Sequence, residues 1–394
     1  MRKIDLTNFS LATSETARQI NRRIALNFIR RFQPLSRADL ARKSGLQRST
    51  ISAIVDQLLE EGWVTEGAVG RSPRGRRPRN LHLNVERAGI LGVELRPEST
   101  TVGLAGVDAR FVTQVSFPTA STPERFAYDL AEVTHDIRRA HPSVHCEGLG
   151  ISLPGRVDES GRLIFAPNLG WGPVELTRLL ESAVGLPVSI DNAANACALA
   201  ELWFGRHADN IRDIVAVTVS EGIGVGLLLN GQLVHGGGSM SGEFGHASVD
   251  EQGPPCRCGR RGCWERYASN SAAIQHYQST QNGEATQGMS IDDLARRADA
   301  GDAAAAASIE RMARYLAMGL ANLATGLAPD VIVVVGEVTA FWHRVGPIVD
   351  EVCALRALPG ATTRILPTDP AAQPRLRGAV TLVVQQHFGA PAVA

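Results

Sequence analysis

The chain has little that would place it in a membrane or outside a reducing compartment. No stretch approaches the roughly 20 apolar residues that a membrane span needs. The N-terminus lacks the unbroken apolar run of a signal peptide. Cysteine is scarce, six among 394 residues. Cys146, Cys197 and Cys353 are scattered and the other three are clustered, which excludes a disulfide framework and points to a reducing compartment. A soluble, cytoplasmic protein is expected. There is no solenoid repeat, and there is no net charge, with forty Lys and Arg balancing forty Asp and Glu. That balance hides an asymmetry. Residues 1–80 hold sixteen basic and seven acidic side chains, a net of +9, which leaves residues 81–394 with a net of −9. A basic head on an acidic body implies that the head meets a polyanion. A hydrophobic fraction of 44% over this length supports two or three domains.

One imidazole and three thiols, His246, Cys256, Cys258 and Cys263, fall within eighteen residues. Three soft sulfurs and one nitrogen complete a tetrahedral set for Zn2+. A closed coordination sphere leaves no position for a reacting water, so this metal is expected to be structural and to brace a neighbouring site.

The head shows three helical patterns. In the first, Ile20, Ile24 and Phe28 recur every fourth residue until Pro34. The second starts at the N-cap Ser36, with Asp39 completing a capping box, and stops at Gly45. The third begins near Gln47 and carries Ile51, Ile54, Val55, Leu58 and Leu59 as one apolar stripe. Two short helices joined by a glycine turn make a helix-turn-helix, whose second helix enters the major groove by its first residues. These are Gln47, Arg48, Ser49 and Thr50, and none is needed for the stripe. Arg48 suits a bidentate contact to guanine and Gln47 one to adenine. Trp63-Val64 and Leu81–Leu83 read as short strands flanking a Gly/Pro/Arg tip, a wing. Its Arg74, Arg76, Arg77 and Arg79 would reach phosphates or a narrow minor groove. A helix-turn-helix of this kind is expected to dimerise on a pseudo-palindromic operator.

The body alternates strands and helices. Strands are predicted at 88–95, 101–107, 111–117, 148–153, 187–191, 214–219, 225–229 and 330–335, with helices at 193–204 and 303–327. This is an α/β pattern whose length suggests two lobes.

The chain resembles the ROK family, which groups bacterial repressors and sugar kinases on an actin-like, ribonuclease H-like two-lobed fold. The resemblance is carried by Ser241-Gly-Glu-Phe-Gly-His246 with the cysteine cluster, by Ile190–Glu201, by Leu153-Pro-Gly-Arg-Val-Asp158 and by Asn168-Leu-Gly-Trp171. It implies a winged helix-turn-helix over 1–84, a first lobe over 85–190, and a second lobe over 191–394 whose last helix packs back on the first. It also implies a sugar pocket between the lobes formed by Asn168, Asn192, Glu243, His246 and Glu265. His246 would serve both zinc and sugar, and Trp171 and Trp264 would be either stacking walls or plain core.

The chain departs from the family pattern where a kinase does its chemistry. The family's proton-accepting Asp is Ala193, and Asp191, two residues earlier, is expected to point elsewhere. The first phosphate loop reads Glu94-Leu-Arg-Pro-Glu98, the second Ser220-Glu221-Gly222, and the adenosine Gly-Gly is Gly336-Glu337. Glu98 and Glu221 would repel phosphate. A sugar-responsive DNA-binding regulator without enzymatic activity is therefore expected, with a sugar or sugar phosphate as effector. Residual kinase activity and control by a partner protein stay open as alternatives.

Overall fold

The computed structural model describes residues 14–69, 79–84, 88–205, 211–280 and 288–389. The head consists of α1 (Ser14–Phe32), β1 (Leu35–Ser36), α2 (Arg37–Ser44), α3 (Arg48–Glu60), β2 (Val64–Val69) and β3 (Arg79–Leu83). The strands form an antiparallel sheet in the order β1-β3-β2. The Ser36–Asp39 capping box starts α2, and Gly45, at φ 75°, ends it in the left-handed conformation. On α3 the stripe Ile51, Ile54, Val55 and Leu58 is buried, whereas Leu59 is half-buried. On α1 the fully buried residues are Ala25, Leu26 and Ile29, and Ile20, Ile24 and Phe28 are half-buried. The buried face is rotated because α1 packs on α2 and α3 and also on the last helix of the body. A fourfold apolar spacing finds a single stripe and cannot register a second contact surface.

The first lobe runs β4 (Ala88–Leu95), β5 (Ser99–Gly106), β6 (Phe111–Pro118), α4 (Pro123–Ala140), β7 (His145–Leu153), the short β8 (Arg156–Val157) and β9 (Leu163–Phe165), α5 (Leu176–Val184) and β10 (Val188–Asn192). α6 (Ala193–Phe204) then leads to the second lobe. That lobe comprises β11 (Ile214–Val219), β12 (Ile223–Leu229), β13 (Gln232–Leu233), α7 (Glu265–Ala268), α8 (Asn270–Thr280), α9 (Ile291–Asp299), α10 (Ala303–Leu327), β14 (Val331–Gly336), α11 (Trp342–Arg356) and β15 (Arg364–Pro367). α12 (Pro374–Phe388) returns to the first lobe.

The two main sheets share one topology. Their orders are β6-β5-β4-β7-β10 and β13-β12-β11-β14-β15, each an antiparallel meander followed by two parallel strands. The central parallel strand β14 is apolar nearly throughout and β7 is buried over its last six residues, as strands covered on both faces require, whereas β15 is a mostly exposed edge. Leu91, Val93, Leu149 and Ile151 pack under α4 and α5 on one face of the first sheet. The other face holds α12 in direct backbone contact. A Cβ on Gly150 would lie 1.8 Å from the Ala379 carbonyl oxygen, and one on Gly378 would lie 2.6 Å from the Ala196 carbonyl carbon. Glycine at both positions lets α12 wedge between the sheet and α6. No helix among the described residues is long and apolar enough to cross a membrane.

Candidate functional site

The carboxyl ends of the parallel strands of both sheets face a cleft of about 380 Å3 between the lobes, the usual place for a ligand in open α/β sheets. Asn168, Asn192, Glu243, His246 and Glu265 all line it, together with Ala193. Asn192 ends β10 and caps α6: its Oδ1 accepts the Ala194 N–H at 2.8 Å and its Nδ2 donates to Gly155 O at 2.7 Å. One N–H and one lone pair are left for a ligand. The Asn168 Oδ1 accepts from Arg257 Nη1 at 2.8 Å, which leaves its NH2 to donate. Carboxylates and fixed amides with spare capacity are what recognise sugar hydroxyls.

His246 closes a short 3-10 turn, Glu243–His246, on the edge of the cleft. Its Nδ1 is 3.5 Å from Cys256 Sγ and its Nε2 is 3.8 Å from the Glu243 carboxylate, so the ring faces the sulfurs with one nitrogen and the cleft with the other. The ligand atoms of His246, Cys256, Cys258 and Cys263 lie within 4.8 Å of one another. Cys258 and Cys263 sulfurs are 3.6 Å apart. A tetrahedron with Zn–S bonds of ~2.3 Å has S···S edges of about 3.8 Å, close to the Cys258–Cys263 separation, so the donor set suits a zinc ion in both chemistry and spacing. Glu265 touches the same set, with Oε1 3.4 Å from His246 Nδ1 and 3.0 Å from Cys256 Sγ. Against the upward push of burial, hydrogen bonds from Arg260 draw the Cys258 thiol down to about 6. Burial, reinforced by Glu265, pushes Cys256 up.

Other expectations are corrected. Asp191 does not point away. It lines the cleft, nearly buried, with Oδ2 3.0 Å from His235 Nε2 and Oδ1 accepting from Asn195 Nδ2 at 2.9 Å. As the penultimate residue of β10 it is held inward by these partners and by the Asn192 N–H, which its Oδ1 accepts at 2.7 Å. Glu98 is exposed and absent from the cleft lining, because the Arg96–Ser99 turn, closed by a backbone hydrogen bond, throws it outward. Trp171 and Trp264 are core. This settles them on one of the two readings left open: Trp171 meets Phe126 in a tilted contact at 5.3 Å and donates to Ala120 O, while Trp264 donates to Tyr315 O.

Away from the cysteine loop the cleft is lined by Arg96, Glu221 and Arg375, which are linked through ion pairs that also take in Glu337 and Glu94. Arg96 Nη2 lies 2.8 Å from Glu337 Oε1 and 3.5 Å from Glu221 Oε1. Arg375 Nη1 lies 3.4 Å from Glu337 Oε1 and 3.7 Å from Glu94 Oε1. Burial pushes the Glu337 carboxyl up, but Arg375 and Arg96 together hold it below its ordinary range. Sequence reasoning missed Arg375 and His235 altogether. Neither lies in a motif, and their partners are distant in the chain.

On the head, Gln47, Arg48 and Ser49 are exposed at the start of α3 and Thr50 is half-buried. Arg79 opens β3, with Nη1 2.9 Å from Glu66 Oε2. Arg74, Arg76 and Arg77 lie outside the described residues.

Residues 90–386 match the model of the ROK family. The chain belongs to the ROK family. Residues 20–78 match the MarR family, so the head has a family signature of its own. The xylose repressor of Bacillus spizizenii is 30% identical over 383 residues, covering 96% of this chain and 98% of that protein. Among solved structures, a ROK family transcriptional regulator, a homologue of the E. coli MLC protein, superposes with a TM-score of 0.82 at 25% identity, covering 95% of this chain and 98% of that one. A ROK family glucokinase from Streptomyces griseus, in complex with glucose and AMPPNP, gives 0.66 at 27% identity over 75% of this chain and 98% of its own. The ROK match thus continues through the head in the regulators and covers the body alone in the kinase. Winged helix-turn-helix plus ROK body is the architecture of a DNA-binding transcriptional regulator of the family.

Proposed function

We propose that this protein is a sugar-responsive repressor of carbohydrate-metabolism genes, in which a kinase-type cleft binds a sugar without phosphorylating it. The observation that carries the reading is Ala193 at the N-terminus of α6, facing the cleft where the family's proton acceptor stands. A methyl group takes no proton, and losing a positioned base costs about 10²–10⁴ in rate. Asp191 is committed elsewhere, its Oδ2 to His235 and its Oδ1 to Asn195 and the Asn192 N–H. The carboxylates of Glu221 and Glu337 oppose a nucleotide's phosphates, and Arg96, which would otherwise attract them, is paired with both.

The residues that remain can bind and orient. Asn168, Asn192, Glu243, Glu265 and the Nε2 edge of His246 present donors and acceptors to hydroxyls. Zinc, held by His246 Nδ1 and the three thiolates, would fix the ring's orientation and the loop carrying Glu243. Binding that favours one arrangement of the lobes shifts the population of DNA-competent heads, and it can do so only through differential affinity. The heads act as a dimer, with the N-terminus of α3 in the major groove and the arginine wing on the backbone.

Calorimetry of the full chain against pentoses, hexoses and their phosphates, followed by operator binding with each ligand, tests the reading. Sugar binding that changes DNA affinity supports it. Sugar-dependent ATP turnover would instead identify a bifunctional kinase, and absence of binding to any sugar would point to control by a partner protein.

A further inference from the structure

The last helix joins the two functional parts of the molecule. α12 begins at the cleft and ends in the head, about 22 Å apart for fifteen helical residues. At its first turn Arg375 is 9% exposed, and its Nη1 reaches Glu94 of the first lobe and Glu337 of the second. Glu337 is also held by Arg96 Nη2 and by Asn270 Nδ2 at 3.0 Å. Arg96 and Glu94 belong to the end of β4, and Glu337 and Asn270 to the second lobe, so these bonds cross the cleft. At the other end Asn27 Nδ2 donates to Phe388 O at 2.6 Å and Arg23 Nη1 to Gly389 O at 3.0 Å, both from α1. The Phe388 ring meets Trp63 of the head at 5.8 Å, and Val380, Val383, Val384 and Phe388 share one core with Leu26, Ile29, Leu58 and Leu81.

We propose that α12 is the coupling element of the molecule: Arg375, Glu337 and Arg96 latch its first turn across the cleft, and its last turn carries the state of that latch into the DNA-binding head. Separating the lobes removes Glu337 from Arg375. That leaves a buried guanidinium with Glu94 as its remaining ion-pair partner and with Nη2 unpaired, as it already is in this arrangement. A buried charge that loses its partner is costly, so the first turn must shift or loosen. Backbone contact with Gly150 and with Ala196 leaves α12 little freedom to bend locally, and a displacement at Arg375 moves Phe388 as well. The tie rests on the proposed function for what opens the cleft, but its geometry does not depend on the effector.

Hydrogen–deuterium exchange on the full-length protein, without sugar or operator, tests the tie. The variant is Glu337→Gln, which removes a charge in the second lobe and touches neither α12's backbone nor the head. Amides in α1 over residues 23–31 should exchange faster by about tenfold, as should those of the first turn of α12. α4, on the opposite face of the first sheet, should keep its wild-type rate. Arg375→Gln should reproduce the pattern, and Arg375→Lys, which keeps the charge, should restore most of the protection. Acceleration confined to the cleft with α1 unchanged overturns the proposal, as does equal acceleration of α4, which would mean general destabilisation. Failure here leaves sugar binding by the cleft standing, and failure of sugar binding leaves this measurement intact.

Discussion

The Asp191 carboxylate holds the ring of His235 at 3.0 Å across the cleft wall, β10 of the first lobe to the loop after β13 of the second. The hydrogen bond to Asp191, opposed by partial burial and helped by the charges of Asp191 and Glu159, raises the His235 pKa above 6.5. A raised folded-state value contributes stability that is fully present below the unfolded pKa, and that is lost as pH climbs through the folded one. His387 and His276, depressed chiefly by burial, act in the opposite sense. The comparison must therefore be wild type against His235→Gln. The Tm difference between them should be largest below about pH 6 and shrink as pH rises above about 6.5. A difference independent of pH between 5 and 8.5, by scanning calorimetry, would rule out the pairing.

Restoring the missing base should not restore a kinase. Ala193→Asp replaces a group worth about 10²–10⁴ in rate, but the carboxylates of Glu221 and Glu337, both paired with Arg96 in one cluster, still stand where the proposed reading would put a nucleotide's phosphates. A coupled assay should show no sugar-dependent ATP turnover above that of the parent. Turnover by this variant would show that the cluster yields to nucleotide.

Removal of one metal ligand should silence the cleft. Cys258→Ser breaks the tetrahedral set, and a first-sphere loss should exceed the ~10–100-fold fall in metal affinity typical of an outer partner. Bound zinc measured by emission spectroscopy and sugar affinity by calorimetry should fall together. DNA binding should persist, since the head core contains no residue of the zinc loop. Unchanged sugar affinity in the metal-free variant would separate the zinc from the pocket.

The two arginine sites of the head should behave differently. Arg48→Ala should cost about 1–3 kcal/mol on the cognate operator and little on variants altered at one base pair, because a bidentate base contact is lost. Arg76→Ala should weaken binding to all sequences alike and lower the salt slope by about one. Uniform loss across operator variants for Arg48→Ala would move it out of the major groove.

Much of this protein could be read from short-range pattern. The capping box Ser36–Asp39, the Gly45 stop and the Ile51–Leu58 stripe are decided within one or two helical turns, so the helix-turn-helix follows from local spacing. The His246, Cys256, Cys258 and Cys263 set is equally local, and only sulfur and imidazole chemistry is needed to see a metal in it. Eight of the ten strands of the two main sheets were legible as apolar runs, whereas β13 and β15, two and four residues long at the sheet edges, carry no apolar run to read. β7 and β12 begin earlier than their apolar pattern, because hydrogen-bonded partners extend a strand past its hydrophobic stretch.

The amino-acid sequence alone determined a basic head with a helix-turn-helix, an α/β body and a soft-ligand His/Cys set, since each is a property of residue type and near-neighbour spacing, while the meaning of Ala193 came from the resemblance to the ROK family. Tertiary structure decided that Asp191 turns inward to His235, 44 residues on, that Glu98 leaves the cleft, and that Arg375 meets Glu337 across 38 residues of chain. Contacts at those separations exist only once two sheets have been wound and α12 laid between the first sheet and α6. No local periodicity encodes them, because each partner comes from a different element and a buried charge is tolerated only where the finished fold sets its counter-charge beside it.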